Sequence, residues 1–504
     1  MFAKTALVVM VALGLALSVR GVRAPVAQRP HGSVTQAQPQ SAPPGAPVHA
    51  PRRVAVAAPP VPAHVHTLAI GGGPSPEFTE VSLEQDLDLA RRVLPGPGLV
   101  FFAGGADALS VRTLDPSIDE QALLSRLGEL FEPRGSRGSR YRKTTLPALP
   151  ATLDEIETQL GRALADGKEP LLVYIAAHGE QGKHERDNHV ALWGGESLGV
   201  ARVAQLQATR TRPLRLVIAS CFSGGFAELA FQDAQPSKGV TQVPRCGLFA
   251  GTWDRETSGC DPNPDRRAQE SYSLHMLHAL RSQDRDGQAL ARADIDFDGD
   301  GKVSLLEAHT RARIASTSID VPTTTSERYL REVQKTRGPL DRALSLEEAA
   351  VITGLGARLG LLTQAATSQR LQQLQQQLDA ADAQLAAAED AAVHPHAALS
   401  GLLLSRWPML DDPYHPDFAA TLAKDGPSIR KVLDDSAEAK VYDDAEDRVD
   451  ELQAEYWALQ TQESVVLRLS RAYETLELAA ALRARGGAQW QGYQRLLACE
   501  RGAP

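Results

Sequence analysis

Short apolar runs, rich in β-branched residues, recur through the first half of the chain and alternate with segments of helical period. His66-Thr67-Leu68-Ala69-Ile70 and Leu99 to Phe102 are two such runs. Leu171-Leu172-Val173-Tyr174-Ile175-Ala176-Ala177 and Leu214-Arg215-Leu216-Val217-Ile218-Ala219-Ser220 are two more, and Gly247 to Trp253 is a fifth. Such runs, bounded by Gly or Pro, read as interior strands of a mostly parallel sheet. A helix is expected from Leu83 to Leu94, capped by Ser82 or Glu84 and stopped by Pro95-Gly96-Pro97-Gly98. Others are expected from Thr152 and from Tyr272 to Leu280, while Asn188 to Gly195 reads as a small hairpin. The alternation predicts an α/β fold. From about Ser345 the pattern becomes heptad-like, through Leu371, Leu374, Leu378, Ala381, Leu385 and Ala388, then again through Val449, Leu452, Tyr456, Leu459 and Val466. This predicts an antiparallel helical hairpin, with an irregular tip between His394 and Pro427.

The chain has 504 residues, 43% of them hydrophobic and 23% charged, which suits two or three domains around at least one large core. A net charge of -9 and a pI near 5.9 give no electrostatic footprint for nucleic acid. Lys4 precedes an apolar run from Ala6 to Val19, too short for a span of about 20 residues, so residues 1–24 read as a signal peptide or an N-terminal anchor. The protein is therefore expected to be exported: periplasmic, extracellular or envelope-anchored. An uncleaved segment would tether it to a membrane. No Cys lies near enough for a lipoprotein anchor. Residues 25–63, rich in Pro, Ala and Gln, read as a disordered linker. Gly71-Gly72-Gly73-Pro74 lacks the spacing of a phosphate loop. Residues 133–143, with Arg134, Arg137, Arg140, Arg142 and Lys143, read as an exposed, protease-sensitive basic loop.

Two strand patterns end in reactive residues. The first leads into His178-Gly179-Glu180 and the second into Cys221-Phe222-Ser223-Gly224-Gly225. Parallel sheets carry function at the carboxyl ends of their strands, and neighbouring strands lie about 4.8 Å apart. A thiol beside an imidazole is a nucleophile beside its base. The pattern Ala-Ala-His178-Gly179 with Ala-Ser-Cys221-Phe222-Ser223-Gly224 resembles the caspase, legumain and metacaspase group of cysteine peptidases, the CD clan, over roughly residues 64 to 320. The resemblance implies a caspase-like three-layer α/β/α sandwich with a mostly parallel sheet over residues 64–290, to which a C-terminal α-helical coiled-coil domain over 345–504 is added. It implies hydrolysis of protein or peptide substrates, with Cys221 attacking the carbonyl, His178 moving the proton, and backbone N–H groups of Gly179 and Cys221 receiving the oxyanion. No Asp or Asn stands out as an orienting third member, and the group commonly uses a dyad. Where metacaspases place Asp before Ser-Cys, this chain has Ala219. Two other readings stay open: a catalytically inactive caspase-like protein, and a calcium-binding coiled-coil interaction protein of the cell envelope. The helical domain would bind itself or a partner.

The stretch from Asp296 to Glu307 matches the twelve-residue EF-hand loop and, with the helix after it, occupies residues 291–320. Asp296, Asp298 and Asp300 offer side-chain oxygens, Gly301 the turn, Lys302 a carbonyl, Ser304 a water-mediated contact and Glu307 a bidentate carboxylate. Ca2+ is the expected ion, in a structural role. No ordinary entering helix precedes the loop, and no second hand pairs with it.

Four cysteines are present, Cys221, Cys246, Cys260 and Cys499. None is spaced CxxC, which argues against zinc. Cys246 and Cys260 flank the strand that lines the specificity pocket in the resembling group, and export would favour a disulfide between them. Trp253, Asp254 and Glu256 follow that strand. Carboxylates there suit Arg or Lys before the cut bond, with Asn the runner-up and Asp the least favoured. Arg255 is the competing charge. With that preference, the basic stretch 133–143 would be a self-cleavage site.

Overall fold

The computed structural model describes residues 64–503, apart from 116, 118, 120, 121 and 132–137. Residues 1–24, the linker, Arg134 and Arg137 lie outside the described residues. The elements in chain order are β1 (Thr67–Gly72), α1 (Val81–Val93), β2 (Gly98–Phe102), β3 (Leu109–Leu114), α2 (Leu123–Phe131), β4 (Ser139–Lys143), α3 (Leu153–Ala165), β5 (Leu171–Ala177), β6 (Gly179–Glu180), β7 (His189–Ala191), β8 (Ser197–Gly199), α4 (Val200–Gln207) and β9 (Leu214–Ile218). They continue with β10 (Arg245–Phe249), α5 (Tyr272–Arg281), α6 (Leu305–Ala315), β11 (Thr323–Thr324), α7 (Thr325–Val333), α8 (Leu346–Leu359), α9 (Gln364–Arg406), α10 (Phe418–Asp435), α11 (Ala437–Arg485) and α12 (Gly487–Glu500).

The central sheet runs β11-β10-β9-β5-β1-β2. All pairs are parallel except β10 with the edge strand β11. Alternate residues of each strand feed opposite cores, as the strand period requires. Leu68, Ile70, Val173, Ile175, Leu216 and Ile218 pack with α3, α4 and the 3-10 segment Ser223–Ala230. Ala69, Leu172, Tyr174, Ala176 and Val217 pack with α1, α5 and α6. Both faces are therefore covered, which is why the strands read as continuous apolar runs. The expected α/β architecture with a mostly parallel sheet is present, as is the long helical C-terminal region.

The 43-residue α9 and 49-residue α11 run antiparallel. Arg370 near the start of α9 bonds Gln462 in α11, while Leu399 and Leu403 at its far end pack with Ala439 at the start of α11. The irregular tip is shorter than expected. Pro395 lies inside α9 and Pro427 inside α10, so only the stretch between Arg406 and Phe418 breaks the helices. The helices are also knitted to the sheet. Arg468 of α11, fully buried, donates to the carbonyls of Arg313, Ser316, Ser318 and Asp320. Tyr329 and Leu330 of α7 pack with Leu478 and Leu482 of α11 and with Tyr493 and Leu496 of α12.

Three further expectations are corrected. The disulfide joins Cys246 to Cys499, not to Cys260. Cys246 is buried in β10, which packs against α12, whereas Cys260 lies exposed on the loop beyond that strand. The helix α1 takes Glu80 as its N-cap position, not Ser82 or Glu84, and no side chain caps it. Ser82 and Glu84 point elsewhere: Ser82 bonds the Gly259 carbonyl and the Asp261 amide, and Glu84 pairs with Arg142. Finally, Arg140, Arg142 and Lys143 are not loop residues. They form β4, antiparallel to β3, and pair with Asp115, Glu84 and Asp107. The backbone ladder joins the two strands while the side chains of β4 stay exposed or half-buried, so its sequence carries no apolar alternation.

Candidate active site

Three adjacent strands deliver the site at their carboxyl ends. Glu80 follows β1, His178 follows β5 and Cys221 follows β9. Strand order changes direction around β1, the first strand of the chain, which has β2 on one side and β5 on the other. Crevices at such switch points are where open α/β sheets place ligands.

Glu80 reaches the sheet edge through a tight turn. After β1 the chain folds into a 3-10 turn, Pro76–Phe78, which packs so closely that a Cβ on Gly73 would lie 1.8 Å from the Phe78 carbonyl oxygen. The buried Glu80 carboxylate accepts from Arg112 at 2.8 Å and meets Nε2 of His178 at 3.0 Å. Burial works against its charge. The hydrogen bond and charge of His178 and the Arg112 guanidinium outweigh that and hold the carboxyl below the usual range. The Phe78 ring stands edge-on to the imidazole, 5.8 Å between centroids. Glu80 is thus the orienting partner of His178. Its one cue in the sequence is an acid directly before the first helix, at a position where Ser, Thr, Asp or Asn is the ordinary cap.

The other imidazole nitrogen, Nδ1, faces the sulfur of Cys260 at 3.8 Å. Burial disfavours the imidazolium, but Cys260 and Glu80 outweigh it and raise the His178 pKa well above its ordinary value. Cys221 stands on the neighbouring strand end, yet its sulfur is held by Thr257. The Thr257 N–H donates to it at 3.3 Å, and the thiol faces the Thr257 carbonyl at 3.6 Å. Burial first, then the neighbouring Cys260, pushes the Cys221 thiol up to about 12, so it rests protonated. The strand register therefore brings His178 and Cys221 to adjacent ends, while the sulfur in hydrogen-bond range of the imidazole is that of Cys260. A Cβ on Gly179 would sit 2.0 Å from the Cys221 carbonyl oxygen, so only glycine admits this approach of the two strand ends.

The loop after β10 closes the site. The Phe222 N–H donates to the Arg255 carbonyl at 2.8 Å, and Asn188 donates to the carbonyls of Phe222 and Trp253. Asp254 is exposed and bonds only Thr252 within its own turn. Glu256 is partly buried, its carboxyl pushed up to about 7 by burial, and its charge is felt at Cys221. Arg255 does not compete with either carboxylate. Its guanidinium turns to α11 and pairs with Glu463 at 2.6 Å and with Ser464. The same loop is fixed by Ser258, whose N–H donates to Asp320 at 2.6 Å, and by Ser82 on α1.

A second group lies at the Asp296–Glu307 loop. Asp296, Asp298 and Glu307 bring donor oxygens within 4.8 Å of one another. Asp300 is not in that group: it accepts from the Lys302 N–H. Glu307 closes the loop, accepting from Phe297 and Asp298 N–H and forming a capping box with Ser304 at the start of α6. Oδ1 of Asp296 is buried with no hydrogen-bond partner, as expected of an oxygen shaped for a cation. Arg292 occupies its other oxygen. Only a 3-10 turn, Arg292–Asp294, precedes the loop in place of an entering helix.

No family model matches this chain, and no curated protein matches it.

Proposed function

We propose that the chain is an exported cysteine endopeptidase of the caspase, legumain and metacaspase kind, with His178 and Cys221 as its dyad and Glu80 as the residue that positions His178. The observation that carries this reading is the delivery of carboxylate, imidazole and thiol to the ends of three adjacent parallel strands, with Gly179 lacking the side chain that would part them. Glu80 holds Nε2, which leaves Nδ1, the nitrogen that faces the Cys260 sulfur, to move the proton.

In this mechanism substrate entry withdraws the Cys260 sulfur, which with Glu80 holds the ring protonated, and Nδ1 gives up its proton to water. The Cys221 sulfur then attacks the peptide carbonyl and its proton passes to Nδ1 as the C–S bond forms. The imidazolium, stabilised by Glu80, then gives that proton to the leaving amine. Water hydrolyses the thioester with His178 as base. A thiol resting near pKa 12 makes the proton transfer part of the attack, not a prior event. The backbone N–H groups of Gly179 and Cys221 receive the oxyanion. Because the Cys221 sulfur rests on Thr257 and Nδ1 on Cys260, substrate entry has to release both contacts. Trp253 and Glu256 line the pocket for the residue before the cut bond, and Glu256, not the exposed Asp254, supplies its charge. That favours Arg or Lys there.

Asp296, Asp298 and Glu307 would hold one Ca2+, joined by Asp300 and the Lys302 carbonyl once the loop tightens, and that ion would supply a fixed positive charge bracing the loop that feeds α6. The test is hydrolysis of a fluorogenic peptide panel differing only before the cut bond. Cleavage after Arg or Lys, abolished in Cys221→Ala with the fold intact, supports the proposal. Activity surviving in Cys221→Ala refutes it.

A further inference from the structure

We propose that Glu80, His178 and Cys260 form a binding site for a soft divalent cation, zinc foremost, which switches the enzyme off by occupying His178. The three residues come from three separate loops, after β1, after β5 and after β10. No local spacing announces them. One donor atom from each lies within 4.8 Å of those from the other two. Tetrahedral zinc with bonds of about 2.0–2.3 Å places its donors about 3.3–3.7 Å apart. The Cys260 sulfur already stands 3.8 Å from Nδ1 of His178, whereas Oε2 of Glu80 stands 3.0 Å from the opposite nitrogen, Nε2. An ion on Nδ1 shared by all three therefore requires the Glu80 carboxylate to swing from Nε2 toward it while the strands stay in place.

The donor set suits the ion. A thiolate, an imidazole and a carboxylate are the mixture that selects zinc over calcium or magnesium, and two anionic donors offset its charge. Arg112 holds Oε1 of Glu80 at 2.8 Å, which anchors the carboxylate while Oε2 exchanges Nε2 of His178 for the ion. The loop carrying Cys260 is pinned on both sides, by Ser82 bonding Gly259 and Asp261 and by Asp320 bonding Ser258. Cys260 itself is exposed, so the fourth position opens to solvent and the ion has an entry path. Zinc on His178 removes the nitrogen that would take the proton of Cys221. This inhibitory consequence rests on the peptidase reading, whereas the site itself does not.

The experiment adds Co2+, then Zn2+, to the chelator-stripped full chain with the Cys246–Cys499 bond intact. Bound at Cys260, cobalt gives a thiolate charge-transfer band that an all-oxygen loop such as Asp296–Glu307 cannot produce. The band is expected at one equivalent in wild type and in Cys221→Ala, and is expected to vanish in Cys260→Ala. Glu80→Gln replaces an anionic donor with a neutral amide and should weaken cobalt binding by at least the roughly 10–100-fold that loss of even an outer-shell partner costs. Zinc should abolish hydrolysis by the wild type, and a chelator should restore it. A band retained in Cys260→Ala, lost in Cys221→Ala, or absent from the wild type overturns the site. A band that behaves as expected in a chain without hydrolysis upholds the site and removes the peptidase reading instead.

Discussion

Replacing Cys499 with Ser should cost this protein a large share of its stability. The bond to Cys246 closes a loop of 253 residues, tying the last helix to the strand that leads into the site. In the chain-entropy account, a loop of that length removes about 18.6 cal/mol/K from the unfolded ensemble, or about 5.5 kcal/mol at 25 °C. That figure is a ceiling, because structure left in the unfolded chain reduces it, and about 2–5 kcal/mol is the expected loss. Cys499 is the better site to change, since Cys246 is buried and Ser there would add an unpaired hydroxyl. Denaturant unfolding, followed by tryptophan fluorescence with and without reductant, reads the effect. Wild type should lose stability on reduction, and Cys499→Ser should start low and ignore the reductant. Non-reducing peptide mapping should recover the β10 peptide joined to the α12 peptide. Equal midpoints for oxidised and reduced wild type would refute the reasoning.

Three further outcomes follow from the same geometry. Glu80→Gln removes a charge that helps hold His178 above its ordinary pKa, so the imidazolium should be lost at lower pH, and kcat/KM should fall by roughly a hundredfold or more. The raised His178 contributes stability that is full below the unfolded pKa and fades as pH rises through the folded one, so Glu80→Gln should flatten that part of the stability profile; an unchanged pH profile would remove Glu80 from the site. Glu256, protonated below about 7, should make the preference for Arg or Lys over a neutral residue grow as pH rises through that value, and Glu256→Gln should erase the trend. Calcium should raise the melting temperature, by about 2.7 kcal/mol of stability at a hundredfold excess over its dissociation constant. Asp296→Asn should abolish that gain, and a melt indifferent to chelator in the wild type would argue against a resident ion.

The parts legible in the sequence were those whose cause is local. The apolar runs at 171–177 and 214–218 could only be interior strands, and their ends put His178 and Cys221 at the sheet edge. The long heptad stripe likewise announced α9 and α11. What escaped depends on tertiary approach. Glu80 looks like an ordinary acid at a helix start until the β1–α1 turn folds it under His178. Cys260 shows no pattern at all, because Ser82 and Asp320, distant in the chain, set its loop beside the imidazole. Cys499 lies too far along the chain for spacing to suggest its partner. Arg255 could have faced either way, and the carboxylate that settled it, Glu463, comes from a helix expected to be a separate domain.

The central claim is that Cys221 is the thiol His178 serves, although the sulfur in hydrogen-bond contact with the imidazole is that of Cys260. A peptidyl probe carrying a thiol-reactive warhead after Arg, incubated with the full chain and mapped by mass spectrometry, tests it directly. The account predicts one adduct, on Cys221, that is lost in His178→Ala and blocked by competing substrate. An adduct confined to Cys260, or one on Cys221 that forms equally well in His178→Ala, would contradict it.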